Sequence, residues 1–138
     1  RSEKVANIDV PDLEVEGDKD DAELLIVGFG STYGHLRAAM KGLRRKGYKV
    51  AMAQLKFINP LPKNTANLLR KYKKVVVAEQ NLGQLAALLR IRINDFAPYQ
   101  YNQVKGQPFV VSELMSNFEQ LILNKEETVG ETFESRVL

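Results

Sequence analysis

Leu24-Leu25-Ile26-Val27-Gly28-Phe29-Gly30-Ser31-Thr32-Tyr33-Gly34 decides the fold. Its first four residues are an unbroken apolar run, as expected of a strand buried on both faces. Such a strand needs a layer of helices above it and another below. The glycines and hydroxyls then turn the chain into a helix. Leu36, Ala39, Met40 and Leu43 recur there at i, i+3, i+4 and i+7 and mark its inner face. Arg37, Lys41, Arg44 and Arg45 fall on the other side, which the spacing places in solvent, and Gly47 suits a helix stop.

Downstream the same rhythm repeats. A second strand is predicted over 48–55, followed by the stiff loop Asn59-Pro60-Leu61-Pro62. A helix over 64–72 should bury Leu68, Leu69 and Tyr72, and Val75-Val76-Val77-Ala78 reads as a third strand. A third helix is expected to start at Asn81 as N-cap, with Gln84 completing a capping-box arrangement. Leu82, Leu85, Ala86 and Leu89 form its inner face, while Leu88 and Ile91 suggest that it is covered twice. A fourth strand over 99–104 precedes Gly106-Gln107-Pro108. The last helix opens at Ser112 and should bury Leu114, Phe118, Leu121 and Ile122. The fold class is therefore α/β: a small, doubly wound, mostly parallel sheet of about four βα units. Ligands or partners of such sheets sit beyond the strand carboxyl ends, here residues 28–33, 56–62, 79–83 and 104–108.

Upstream, residues 1–22 read as an acidic arm or linker, with a possible edge strand over 4–10 and an acidic loop over 17–21. Residues 23–123 form the folded domain, and 124–138 a flexible tail. The chain has 138 residues, 44% of them hydrophobic and 27% charged, which suits one ordinary globular domain. No apolar run approaches the roughly 20 residues of a membrane helix, and no signal peptide opens the chain. It begins at Arg1 rather than Met, so a piece of a longer protein is expected. Cysteine is absent, which excludes disulfides, thiolate zinc sites, a cysteine nucleophile and a self-contained iron–sulfur cluster. With His35 alone, a His-rich metal site is excluded too, and no nucleophile or carboxylate triad accompanies it. Surface or structural histidine is its expected role.

The net charge of +3 conceals a division. Residues 1–23 hold nine acids against three bases, and residues 113–138 hold six against two. Between them, residues 24–112 hold fifteen Lys and Arg against Glu79 and Asp95, a local charge of +13. Such a field favours anionic partners. Gly30, Ser31 and Thr32 are a candidate anion site at a helix start. The spacing G-x-G-x-x-x-G is nevertheless one residue too long for a dinucleotide fingerprint, and Leu55-Lys56-Phe57 stands where a ribose-binding acid belongs. A tight strand-to-helix turn is the better explanation of these glycines. Lys41-Gly42-Leu43-Arg44-Arg45-Lys46 and Arg70-Lys71-Tyr72-Lys73-Lys74 are basic helix ends without a stacking platform, so nucleic acid is the weaker alternative. Glu79 is left unexplained by capping; it either pairs with a base or faces a partner.

Taken in order and spacing, Gly28-Phe29-Gly30-Ser31-Thr32-Tyr33-Gly34, Asn59-Pro60-Leu61-Pro62, Glu79-Gln80-Asn81-Leu82-Gly83-Gln84-Leu85 and Gly106-Gln107-Pro108-Phe109 resemble one family. It is the C-terminal, transketolase-C-like domain of the alpha subunit of 2-oxoacid:ferredoxin oxidoreductases, of the 2-oxoglutarate type. The resemblance covers residues 4–123. Phe29 stands where family members often carry Trp, and Ala78 where they often carry Pro. The resemblance implies a cytoplasmic enzyme that oxidatively decarboxylates a 2-oxoacid on thiamine diphosphate and magnesium. It passes the acyl group to coenzyme A and electrons through an iron–sulfur cluster to ferredoxin. It also implies that this domain supports assembly with the rest of the alpha subunit and the beta subunit, while the thiamine site lies between other domains. No catalytic residue, metal site or cofactor is therefore expected within these residues. Asn59, Pro60, Leu61, Pro62, Glu79, Asn81, Gly83, Gly106, Gln107 and Pro108 are the interface candidates. The alternatives are a stand-alone nucleotide- or anion-binding module and a nucleic-acid-binding domain.

Overall fold

In the computed structural model, residues 10–56, 58, 60–80, 83–94, 96–102 and 108–124 are described. Five strands alternate with four helices: β1 (Val15–Gly17), β2 (Leu24–Phe29), α1 (Tyr33–Arg45), β3 (Val50–Leu55), α2 (Thr65–Arg70), β4 (Val75–Glu79), α3 (Gln84–Arg92), β5 (Tyr99–Asn102) and α4 (Val111–Leu123). The strands form one sheet in the order β1-β3-β2-β4-β5. All neighbours are parallel except β1, which pairs antiparallel with β3.

β2 is central, and its apolar run explains the layering. Leu24 and Ile26 point into one core with Leu36, Met40 and Leu43 of α1 and Leu114, Phe118 and Leu121 of α4. Leu25 and Val27 point into the other, with Leu69 of α2 and Leu85, Ala86 and Leu89 of α3. On the first face an aromatic cluster closes the β5 edge. Tyr101 lies 5.7 Å from Phe109 and 6.0 Å from Phe118 between ring centroids, distances at which tilted rings attract through their quadrupoles. Leu68, Tyr72 and Ile122, expected to be buried, are half-buried against these cores. Ile91 is 76% exposed, so the second cover expected over α3 is not supplied by the described residues.

The acidic arm departs from expectation more usefully. The strand proposed over 4–10 lies almost wholly outside the described residues, as does the 125–138 part of the tail, but residues 15–17 add β1 to the sheet. Just before it, Leu13 is buried. Its N–H donates to Asn64 Oδ1 at 2.7 Å, and its carbonyl accepts from Asn64 Nδ2 at 2.9 Å. The arm's carboxylates then reach α1 and β3. Glu16 meets Arg37 at 3.0 Å, Asp18 meets Arg44 at 3.0 Å, and Asp21 meets Lys49 at 2.7 Å. Arg37 and Arg44, expected to be merely solvated, are thus paired. Asp18 also accepts the Val50 N–H at 3.0 Å, which anchors it to the strand as well as to the helix.

Lys74 belongs by sequence to the basic run that follows α2. Its Nζ reaches across and donates to the carbonyls of Leu121, Ile122 and Asn124 at 2.8, 3.3 and 2.5 Å. Those carbonyls close α4, where a cation offsets the helix dipole. No helix among the described residues is long and apolar enough to cross a membrane.

Two outcomes are expected. Lys74→Met keeps the apolar stem but leaves three carbonyls without their cation, so it should lower unfolding free energy by about 1–3 kcal/mol, measured by urea denaturation. An unchanged midpoint would show that the contact contributes nothing. The second concerns pH. The Tyr33 hydroxyl, donating at 2.6 Å, and then the Arg37 guanidinium hold the Glu16 carboxyl below its ordinary value of 4.5, against partial burial. A depressed carboxyl stabilises the fold above its unfolded value and loses that effect as pH falls through the folded one. Amide protection of Val15–Gly17, followed by NMR, should therefore drop on acidification below about pH 4.5. Glu16→Gln should weaken that dependence.

Candidate functional site

The chain runs from β2 to β3 on one side, then returns to place β4 on the other. Such a reversal opens a crevice beyond the strand carboxyl ends, the position where open α/β sheets bind their ligands and partners. Here it is a cleft of about 540 Å³. One wall is Phe29, Gly30, Ser31 and Thr32; the other is Ala78, Glu79, Gln80, Gln84, Leu85 and Leu88, with Ile58 between. A second hollow of about 730 Å³ lies between the Phe29-Gly30 turn and the arm, lined among others by Leu13, Glu16, Tyr33, Gln54 and Lys56. The turn after β2 is therefore a ridge between two hollows. Phe29 and Tyr33, 39% and 38% exposed, stand on it.

The ridge has its shape because of its glycines. A Cβ at Gly28 would run into the Leu36 side chain and Gln54 Oε1, so β2 can pass beneath the start of α1 only without one. Gly30, at φ +74°, turns the chain into the 3₁₀ turn Gly30–Thr32 that leads into α1. Thr32 is buried, donating to the Phe29 carbonyl at 3.2 Å. Gln54 Nε2 donates to the Gly30 carbonyl at 3.0 Å and reaches Thr32 Oγ1 at 3.4 Å. Of the candidate anion ligands, Thr32 is thus occupied within the turn, whereas Ser31 is exposed on the cleft. Sequence reading missed Gln54. Its signal was a lone polar side chain near the close of an apolar strand, registered opposite Gly28.

Across the cleft, Glu79 is the informative residue. It ends β4, is 4% exposed, and turns both oxygens onto the start of α3. Oε1 accepts the Leu85 N–H at 2.7 Å, and Oε2 accepts the Ala86 N–H at 2.9 Å. These are free donors of the helix's first turn, where negative charge is favoured by the dipole. The expected cap was Asn81 with Gln84; the helix starts instead at Gln84, with Gly83 at the N-cap position. Glu79, expected to pair with a base or face a partner, caps the helix from the neighbouring strand. The local pattern could not show this, because a cap is sought immediately before its helix and this one comes from the end of a strand.

Of the remaining interface candidates, Pro60 and Leu61 are half-buried, Pro62 is buried, and Pro108 is exposed. Asn59, Asn81, Gly106 and Gln107 lie outside the described residues. Pro62 borders the second hollow, so the loop after β3 and the turns after β2 and β4 share one edge of the sheet. At the ends of β3 and β5, Gln54 Oε1, Tyr101 Oη and Asn102 Oδ1 are buried without a hydrogen-bond partner among the described residues. Burial pushes the Tyr101 hydroxyl pKa up. His35 is exposed on the first turn of α1.

Residues 22–114 match the family described as pyruvate:ferredoxin oxidoreductase core domain II. The chain is 46% identical over 115 residues to 2-oxoglutarate oxidoreductase subunit KorA of Mycobacterium tuberculosis, covering 83% of this chain and 17% of that protein. It is 31% identical over 134 residues to the alpha subunit of 2-oxoacid:ferredoxin oxidoreductase 2 of Aeropyrum pernix, covering 94% and 21%. It is also similar to the solved 2-oxoglutarate:ferredoxin oxidoreductase from Magnetococcus marinus with 2-oxoglutarate, coenzyme A and succinyl-CoA bound. There the TM-score is 0.76 at 31% identity, over 82% of this chain and 20% of that one. A split-gene transketolase shares the fold, with a TM-score of 0.59 at 16% identity over 82% of this chain and 42% of that one. The chain thus spans about a fifth of the length of these curated relatives.

Glu79→Ala should leave two buried helix N–H groups unpaired and lower unfolding free energy by about 2–4 kcal/mol. Glu79→Gln, which retains one acceptor oxygen, should cost roughly half as much. Hydrogen exchange at the Leu85 and Ala86 amides reads the contact directly. Unchanged protection in Glu79→Ala would remove the cap from this account.

Proposed function

This chain belongs to the pyruvate:ferredoxin oxidoreductase core domain II family, and on that premise we propose that it is the assembly domain of an alpha subunit of a cytoplasmic 2-oxoglutarate:ferredoxin oxidoreductase. The complete enzyme would oxidatively decarboxylate the 2-oxoacid, transfer the acyl group to coenzyme A and reduce ferredoxin. Thiamine diphosphate would supply the electron sink for decarboxylation, and an iron–sulfur cluster the path for single electrons.

The residues of this chain do not fit those groups. There is no cysteine to hold a cluster. Among the described residues no three His, Asp or Glu side chains gather where a magnesium ion could be held. The one carboxylate on the switch-point cleft, Glu79, has both oxygens engaged by backbone N–H groups. That engagement carries the non-catalytic reading, because an acid or base needs an oxygen free to face its substrate. No step of the reaction is therefore routed through this chain. Its contribution is the carboxyl edge of the sheet. The ridge bearing Phe29 and Tyr33 offers aromatic surface between two hollows, the kind of anchor enriched at protein interfaces. The rest of the alpha subunit is its proposed occupant, with Pro60, Leu61 and Pro62 beside it and the domain bounded at residues 23–123.

The test has two arms. The full-length alpha subunit with its beta subunit should reduce ferredoxin when given 2-oxoglutarate and coenzyme A. The isolated 138-residue chain should show no calorimetric binding of thiamine diphosphate with magnesium. Micromolar binding to the isolated chain would overturn the assembly role, and failure of the complex to oxidise 2-oxoglutarate would overturn the substrate assignment.

A further inference from the structure

The fold divides the chain's positive charge into two unequal parts. Around α1 most cations are matched: Arg37, Arg44 and Lys49 meet acids of the arm, and Lys46 meets Glu119 of α4 at 3.0 Å, while Lys41 and Arg45 form no ion pair among the described residues. Across the sheet, Arg70 and Lys71 close α2, Lys73 follows three residues past its last turn, and Arg90 and Arg92 close α3. Arg70 Nη2 donates to the Asn94 carbonyl at 3.4 Å, which brings the two basic helix ends together. None of these five cations forms an ion pair among the described residues. Glu79 lies at the opposite end of α3 with its carboxylate engaged. Asp95, outside the described residues, is the only acid the sequence holds between 80 and 112. Between Arg90 and Arg92 stands Ile91, 76% exposed.

We propose that this basic end of the α2/α3 layer docks an acidic protein face, with Ile91 as the apolar contact inside a ring of cations. The inference rests on the assembly role proposed above, since its partner is another protein of the complex. The chain's own construction supplies the precedent, because its other basic face is covered by carboxylates wherever the arm reaches. Arginine adds specificity: its planar fork pairs with carboxylates in two-point geometry and is enriched at interfaces. The charge alone would also suit nucleic acid. However, among the described residues the exposed aromatics, Phe29 and Tyr33, sit at the other edge of the sheet, and Tyr72 beside these cations packs against the core rather than standing out as a stacking platform.

The experiment uses the full-length subunit co-expressed with its companion subunit, with association measured by sedimentation across a salt series. Arg90→Glu with Arg92→Glu should weaken association at least about tenfold and flatten its salt dependence. Arg90→Gln with Arg92→Gln should give a smaller loss in the same direction and guards against misfolding, as does an unchanged melting temperature. Arg45→Glu, an exposed cation on α1 without an ion partner, should leave association unchanged. If the wild-type subunit assembles but neither Arg90/Arg92 pair moves it, the surface is wrongly assigned while the assembly role stands. If the wild-type subunit forms no complex, the assembly role itself falls. Salt-sensitive binding of a DNA duplex by the wild-type protein, abolished in the Glu pair, would overturn the choice of a protein partner. Self-association abolished in the Glu pair would do the same in favour of a second copy.

Discussion

Complete enclosure of β2 is the constraint on which the rest of the molecule depends. Residues 24–27 are all aliphatic and fully buried, so neither face of the strand can be left to water. Burying such side chains contributes about 1.5–3 kcal/mol each, an upper estimate because unfolded chains are already partly compact. Two helix layers are therefore obligatory, and they are supplied in pairs: α1 with α4, and α2 with α3. Because the chain leaves β2 toward β3 and returns on the other side at β4, the same strand also determines where the cleft opens. Core and candidate site follow from one placement.

Single charges then fasten two helices to β4, one the next element in the chain and the other far from it. Glu79 at the end of β4 holds the N-terminus of α3, and Lys74 at its start holds the C-terminus of α4. Anion at a helix start and cation at a helix end are the two favourable signs for the dipole. One five-residue strand thus carries, at or beside its two ends, a fastening for a helix on each face. The strategy explains why an isolated acid in a strongly basic region need not signal catalysis. Buried and doubly bonded to backbone, it is structural.

The arm shows the same economy at lower strength. Its ion pairs are substantially exposed, and exposed pairs contribute little individually, about 0–1 kcal/mol, and less in high salt. What holds the arm is the combination of β1 pairing, the burial of Leu13 and its two hydrogen bonds to Asn64. The ion pairs add register: they set Glu16 beside α1 and Asp18 beside the start of β3. They also consume most of the cations on that face, whereas those at and beyond the ends of α2 and α3 form no ion pair among the described residues.

The amino-acid sequence determined β2 to β5 and the four helices, since period and burial are local properties; β1, three residues of the acidic arm without such a run, was not among them. The run 24–27 had to be a buried strand, and Leu36, Ala39, Met40 and Leu43 had to face a core. Even the ridge was foreshadowed by glycines where a turn had to be tight. Tertiary structure alone decided which charged group meets which. Glu79 lies six and seven residues from its partners, Asn64 lies 51 from Leu13, and Lys74 lies 47 from Leu121. No helical or strand period links such positions; the last two pairs meet because the sheet order carries them together, and the first because β4 ends beside the start of α3. A charge is read locally as solvated or capping by its nearest neighbours, but its energy depends on distance in space. The roles of Glu79, Lys74 and the acidic arm therefore emerge only once the sheet is assembled.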